Sequence, residues 1–301
     1  RGSGRLAVRL PSLIASGVAI ALFANSADAA ILARPAKQAP VVSDSAVSEI
    51  QRAIDEQRFL DAGRILDEAL LGGAKDPRLT LLSGDLSLAR GRFNAALAAY
   101  KEAESTPAQH AKALQGQGLA LSMLGRSDEA LAILQKAVAE DPTAWRAWNA
   151  LGSEYDNRAQ WSLAETAYEH AMTASGGAAL VLNNRGYSRL LQHRREEAVS
   201  DFVAALQKKP GLAEARTNLR LALAMGGDYD RAIAGGAPAD QAILLNNAGF
   251  AAGMRGDYAM AEDLLGRAIT LKSEYYGRAS ENLKIVRALA AQSAANPNAK
   301  P

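Results

Sequence analysis

The amino-acid sequence predicts an all-α protein in which pairs of short helices repeat along the chain and stack into a right-handed superhelix. Hydrophobic residues make up 49% of the 301 residues but aromatic residues only 5%, so the core must be built mainly from small aliphatic side chains. No segment of useful length alternates between apolar and polar residues, as a half-buried strand would. Four glycines, moreover, recur at intervals of 34 residues: Gly84, Gly118, Gly152 and Gly186.

The first 29 residues are predicted to be a signal peptide rather than part of the fold. Three arginines, Arg1, Arg5 and Arg9, precede the uncharged stretch LPSLIASGVAIALFAN, and the small-residue pattern ADA follows, which predicts cleavage after Ala29. A retained membrane anchor is the alternative. The apolar run of about 14 to 16 residues is shorter than the roughly 20 needed to span a bilayer, which favours cleavage.

Composition excludes several classes of function. The chain has no cysteine, so it has no disulfides, thiolate metal ligands, cysteine nucleophile or lipid-modified cysteine. Its 34 basic and 32 acidic side chains give a net charge of +2, and the first 29 residues account for that excess. The remainder is neutral, so charge gives no reason to expect a nucleic-acid partner.

Two segments lack helical periodicity and carry prolines. Residues 30–42 (AILARPAKQAPVV) are predicted to be a flexible linker, and residues 293–301 a disordered tail. The solenoid is therefore expected over residues 43–292.

The period of 34 residues is typical of tetratricopeptide repeats, in which each unit is a pair of antiparallel helices. The segment WNALGSEYDNRAQWSLAETAYEHA resembles that family at nearly every signature column. Other columns recur at fixed distances after each glycine. They are Ala96, Ala130, Ala164 and Ala198 at twelve residues, Tyr100, Leu134, Tyr168 and Phe202 at sixteen, and Ala103, Ala137, Ala171 and Ala205 at nineteen. Small residues in these columns allow the second helix of a unit to approach its neighbours closely.

Extending this register predicts about seven units and a capping helix. Backward, it reaches a degenerate first unit around Ile50; forward, it reaches Arg220, and then Gly249 after only 29 residues. The unit at about 213–241 is therefore predicted to have a second helix shortened by five residues. A last helix, SEYYGRASENLKIVRALAAQ, is expected to cover the open end of the stack, because each unit buries apolar surface only against its neighbours.

No catalytic motif is present. The three histidines have no partner at metal-ligand spacing, and the sequence contains no HExxH, GxSxG or Walker-type pattern. We therefore predict a non-enzymatic protein with no catalytic residues, no metal site and no cofactor.

Asparagines accumulate just before the glycine column. They are Asn184, Asn218 and Asn247 two residues before it, and Asn149, Asn183 and Asn246 three residues before it. The first set resembles the asparagine ladder of the superhelical domain of O-linked N-acetylglucosamine transferase. That resemblance implies amides that grip the backbone of an extended peptide, since an amide offers both a donor and an acceptor. The alternative is that they satisfy helix ends or face water.

Six residues before the glycine column stand Arg78, Lys112 and Arg146, followed in later units by Leu180, Glu214 and Ile243. If these positions face the groove, it is basic toward its N-terminal half and more apolar toward its C-terminal half. A basic half would steer an acidic peptide. A solvated surface is the alternative interpretation.

The signal peptide, the helical repeats, the shortened unit before GGAP and the recurring NNxG helix together resemble the TadD family of tight-adherence (Flp) pilus assembly proteins. The resemblance implies a periplasmic scaffold that binds an extended peptide or helix of a partner, such as an outer-membrane secretin or a pilus component. It departs from the many lipidated relatives, because this chain has no cysteine. The alternatives are a general envelope adaptor, in polysaccharide export or cytochrome maturation, or a self-associating structural solenoid.

Overall fold

The computed structural model describes residues 42–271 and 276–295, and these residues form successive antiparallel helix pairs. The predicted signal peptide, the predicted linker apart from Val42, and residues 296–301 of the predicted tail lie outside this range. The last helix continues to Ala295, three residues past the predicted end of the solenoid.

The first helices of the pairs carry the glycine and asparagine columns. They are α1 (Asp44–Asp55), α3 (Pro77–Ala89), α5 (His110–Met123), α7 (Trp145–Asp156), α9 (Ala179–Leu191), α11 (Ala213–Met225) and α13 (Gln241–Arg255).

The second helices carry the alanine columns. They are α2 (Phe59–Leu71), α4 (Phe93–Glu104), α6 (Ser127–Glu140), α8 (Trp161–Ser175), α10 (Arg195–Lys208), α12 (Tyr229–Ile233) and α14 (Tyr258–Leu271). The described residues thus contain seven pairs, followed by α15 (Gly277–Ala295), which confirms the predicted fold class. No helix in the described part of the chain is both long and apolar enough to cross a membrane.

The repeat columns form the contact between the two helices of a unit. Tyr168 is buried, and its Cε1 atom would lie 2.6 Å from a Cβ atom added to Gly152. Phe202 stands in the same relation to Gly186, at 2.8 Å. Glycine is needed at these positions because the large side chain sixteen residues later occupies the space that a methyl group would fill. The alanines of the other two columns are buried as well, which allows the close approach predicted from the sequence.

The sixth unit is truncated as the spacing predicts. Its second helix, α12, has five residues, and the chain then leaves it through Gly235, whose φ is +64°. Counted sixteen residues from Arg220, as in the other units, the position of the large core residue falls at Gly236, which lies beyond the end of α12. The glycine column can therefore hold Arg220, whose Nη2 atom donates 3.0 Å to the carbonyl oxygen of Ala234.

The last helix occupies the place of the first helix of an eighth unit. It packs on α13 and α14, and buries Val286 against Gly253. The predicted capping helix is thereby confirmed in position, although it begins at Gly277, later than the segment predicted from the sequence.

Candidate functional site

Two neighbouring depressions lie along the first helices of the later units. The first has a volume of about 550 Å³ and its walls come from α7, α8, α9 and α11. The second has a volume of about 670 Å³ and its walls come from α11, α13 and α15, with Ala232 of α12 and Asp240. Thr217 of α11 lines both, so we treat them together as one groove.

Apolar side chains line the groove while remaining partly exposed. Tyr187 and Leu191 belong to the first depression and are 44% and 43% exposed. The second contains Leu221, Ile243 and Phe250, between 37% and 42% exposed. Concave surfaces that combine such side chains with a few polar groups are typical of binding sites. The apolar surface that these five residues still expose can be buried only when something occupies the groove.

The asparagines form a hydrogen-bonded chain that links consecutive first helices. Asn184 of α9 donates to Oδ1 of Asn149 on α7 over 3.2 Å, and Asn183 donates to Asn184 over 3.0 Å. Asn218 of α11 then donates 3.0 Å to Oδ1 of Asn183. Asn149 and Asn183 are buried. These amides therefore bridge three units of the stack.

A second chain of hydrogen-bonded amides joins α13 to the capping helix α15. Asn246 is buried and donates 3.1 Å to its neighbour Asn247, while Asn282 of α15 donates 3.0 Å to Oδ1 of Asn246. Sequence reasoning missed Asn282 because it follows Asn246 by 36 residues rather than 34. Asn282 could have been found by allowing two extra residues before the capping helix, since it then falls in the same asparagine column as Asn246.

The structure brings five of the six predicted asparagines to the groove. Asn183, Asn184 and Asn218 line the first depression, and Asn246 and Asn247 line the second. Asn149 lies behind Asn184 and lines neither. Among the described residues, no hydrogen bond engages Oδ1 of Asn218 or Nδ2 of Asn247, so these two groups are available to a ligand backbone.

The three predicted basic residues lie away from the groove. Arg78 pairs with Asp76 and Asp44, each at 2.6 Å, and so holds the start of α3 against the first unit. Lys112 and Arg146 are exposed and line neither depression. The predicted basic N-terminal half is therefore not part of this groove.

Lys112 and Arg146 act instead on a carboxyl group of the earlier units. Burial raises the pKa of Asp85, and a 2.7 Å hydrogen bond from the Tyr100 hydroxyl, together with the charges of Arg146 and Lys112, partly offsets that rise.

Asp156, at the end of α7, anchors the wall of the first depression. The Tyr168 hydroxyl donates 2.9 Å to its Oδ2 atom, and the Ser188 hydroxyl donates 2.6 Å to its Oδ1 atom. Burial raises the pKa of Asp156, and the two hydroxyl donors oppose that rise. The carboxyl group thus holds α7, α8 and α9 together at the edge of the groove.

The arrangement can bind a chain through amides and apolar contacts. In the described part of the chain, no three His, Asp or Glu side chains are grouped so that they could hold a metal ion. One of the three histidines, His170, stacks on Trp148 with ring centroids 4.3 Å apart.

Comparison with known proteins agrees with the fold. The family model for the tetratricopeptide repeat matches residues 111–143, which cover α5 and α6. No curated protein matches the sequence.

Solved structures extend the likeness over most of the chain. A chain of the APC/C hetero-tetramer Cut9–Hcn1 is 16% identical with a TM-score of 0.63, and the match covers 81% of this chain and 49% of that one. This chain therefore spans about half the length of that relative. TTC0263, a TPR protein of Thermus thermophilus, is 18% identical with a TM-score of 0.53, over 60% of this chain and 97% of that one. PilW, a type IV pilus biogenesis factor, is 17% identical with a TM-score of 0.50, over 82% of this chain and 100% of that one.

At these identities the matches show the fold, and the fold is that of a tetratricopeptide repeat array. The stacked units of such an array form an extended concave surface, and repeat proteins use surfaces of this kind for binding.

Proposed function

We propose that the protein is a non-enzymatic periplasmic scaffold that binds an extended segment of a partner protein in the groove. The observation that supports this most is the continuity of the two depressions through Thr217, with apolar side chains and amides available on both sides of it. Each hydrogen bond from an amide to a peptide backbone would contribute about 0.5–1.5 kcal/mol net. Burial of the apolar side chains would supply the rest.

The pathway we propose is assembly of a Flp/Tad pilus or of its outer-membrane secretin. Support comes from the truncated sixth unit, which the resemblance to TadD proteins rests on, and from the similarity of fold to a type IV pilus biogenesis factor. Export through a cleaved signal peptide is part of the same proposal. Mass spectrometry of the chain recovered from the periplasm should give an N-terminus at Ala30.

A blocking substitution in the groove tests the binding proposal. Thr217 is exposed and donates 3.0 Å to the carbonyl of Ala213, four residues earlier. An arginine there would intrude on both depressions. Thr166 of α8 is the matched control, since it is also exposed and donates 3.0 Å to the carbonyl four residues earlier, but lies outside the groove.

The full chain, Thr217→Arg and Thr166→Arg would each be used to capture proteins from envelope extracts of the source organism, with quantitative mass spectrometry. We expect a set of proteins captured by wild type and Thr166→Arg but lost with Thr217→Arg. If all three capture the same set, binding in the groove is wrong. If the lost set contains no secretin or pilus component, the pathway is wrong while groove binding stands.

A further inference from the structure

Charged side chains give the two depressions opposite character. The first depression is lined by the carboxyl groups of Asp156 and Glu214, and no lysine or arginine lines it. The second is lined by the guanidinium groups of Arg220 and Arg278 and by one carboxyl group, that of Asp240. The excess charge is therefore negative in the first depression and positive in the second.

Apolar side chains lie in both depressions. Tyr187 and Leu191 of α9 line the first depression together with Glu214 of α11, and Leu221 of α11 and Ile243 of α13 line the second together with the arginines. Thr217, which the two depressions share, is neutral. A segment crossing the groove would meet carboxylates and apolar surface in the first depression, and apolar surface and guanidinium groups in the second.

From this distribution of charge we infer that the groove recognises an extended segment with segregated charges: a basic side chain over the first depression, a carboxylate over the second, and apolar side chains against the apolar surface of both. The inference rests on the proposed function and adds the chemistry and the orientation of the partner segment. The opposite placement would set like charges against each other in both depressions. Complementary charges at an interface fix register and exclude wrong partners more than they add affinity.

Two of these charges are well placed to act on a ligand. Glu214 and Arg278 are exposed, and neither forms an ion pair with another residue in the described ranges. Arg220 is partly used by the fold, because it donates to the carbonyl oxygen of Ala234. Glu214 and Arg278 are therefore the residues to exchange.

The spacing of the helices sets the length of the segment. Glu214 lies on α11 and Arg278 on α15, and α11, α13 and α15 pack in succession. Packed helices are about 8–10 Å apart, so the two charges are separated by roughly 20 Å. An extended chain rises about 3.3 Å per residue, so about six residues separate the two charged ends of the ligand.

Four synthetic peptides with acetylated and amidated ends would serve as probes for the full chain in fluorescence anisotropy. They are KKGLSLSGDD, KKGLSLSGKK, DDGLSLSGDD and SSGLSLSGSS. We expect the first to bind at least about threefold more tightly than each of the others at low salt, and to lose that advantage at high salt.

Charge exchange gives the sharper test. Glu214→Lys and Arg278→Glu should each weaken binding of KKGLSLSGDD by about tenfold, because each replaces an attraction with a repulsion. The double variant should restore binding with the peptide reversed. A photo-crosslinker beside the lysine end should then label the second depression instead of the first. The controls are Glu102→Lys and Lys208→Glu, two exposed residues outside the groove, which change the protein charge equally.

Equal binding of all four peptides, or a double variant no better than its parents, would overturn the charge order while leaving groove binding in place. Failure of every peptide to bind at millimolar concentration would also overturn it. The comparison of Thr217→Arg with Thr166→Arg decides the proposed function separately.

Discussion

The amide of Asn282 donates a 3.0 Å hydrogen bond to the buried side chain of Asn246, and so ties the last helix to the first helix of the seventh unit. The same link recurs earlier, where Asn184 reaches Asn149 and Asn218 reaches Asn183. A buried amide oxygen must be satisfied because it has given up its hydrogen bonds to water. The amide column therefore serves the stack itself as well as the surface of the groove.

Replacing Asn282 with alanine should lower the free energy of unfolding of the C-terminal units by about 1–3 kcal/mol, because Oδ1 of Asn246 would stay buried without its partner. Urea unfolding and hydrogen exchange of α13 and α15 would measure the loss. The double variant Asn246→Leu with Asn282→Leu removes both polar groups and should cost less than Asn282→Ala. A larger loss in the double variant would show that packing, not the hydrogen bond, dominates.

Gly152→Ala should destabilise the fourth unit by about 1–3 kcal/mol, because the Tyr168 ring must move to admit the added methyl group. The matched control is Gly266 on α14, where an added Cβ atom meets nothing within 4 Å. Gly266→Ala should stabilise the protein by about 0.5–1 kcal/mol, because alanine has the higher helix propensity. Thermal unfolding should show a lower melting temperature for Gly152→Ala and a higher one for Gly266→Ala. Equal shifts in the two variants would contradict the packing argument.

The repeat arithmetic predicted the fold because it depends on local size constraints. A glycine and an aromatic sixteen residues apart must meet when two helices of fixed length fold back on each other, so Gly152 with Tyr168 could be predicted as a contact. The truncation before Gly235 could be predicted for the same reason, as a change in spacing. Both are properties of one unit.

The site could be predicted only in part because it depends on how units sit side by side. The sequence identified Asn183 and Asn246, but it could not show that neighbouring amides bond to each other. It also could not show that Asn149 bonds to Asn184 and lies outside the groove. Arg78 was assigned to the groove by register alone, yet its side chain is held by Asp76 and Asp44 at the start of a helix. The positive charge of the groove comes instead from Arg220, which bonds to the carbonyl oxygen at the end of the shortened α12, and from Arg278 on the capping helix.

The contribution of Asp156 to the free energy of unfolding should fall as pH rises. Its pKa is raised in the folded state by burial, so the folded state holds the proton more tightly than the unfolded state does. The free energy of unfolding therefore falls as pH rises from the unfolded pKa of about 3.9 through the folded pKa, and stays lower above it. Asp156→Asn removes that dependence.

Measured by urea unfolding from pH 3 to pH 7, the stability of wild type relative to Asp156→Asn should be greatest at the acid end. A difference independent of pH would contradict the raised pKa. Ser188→Ala, which deletes one hydroxyl donor to the carboxylate, should steepen the dependence.

The hydrogen bond between the Tyr229 hydroxyl and Asp257 should give a pH dependence of stability opposite to that of Asp156. The Tyr229 hydrogen bond and then Arg255 lower the pKa of Asp257 in the folded state, and burial raises the pKa of Tyr229 to about 12. A depressed carboxyl pKa gives stability that is present above the unfolded value of about 3.9 and is lost as pH falls through the folded pKa.

Tyr229→Phe removes the first donor to Asp257 and keeps the buried aromatic ring at the start of α12. The variant should therefore be less stable than wild type at pH 7, and the difference should shrink toward pH 3. Urea unfolding of the two proteins across that range measures the deficit, and one that grew toward acid pH would contradict the assignment. Asp257 is close to the surface, so the effect should be small and should weaken with added salt, in contrast to that of Asp156.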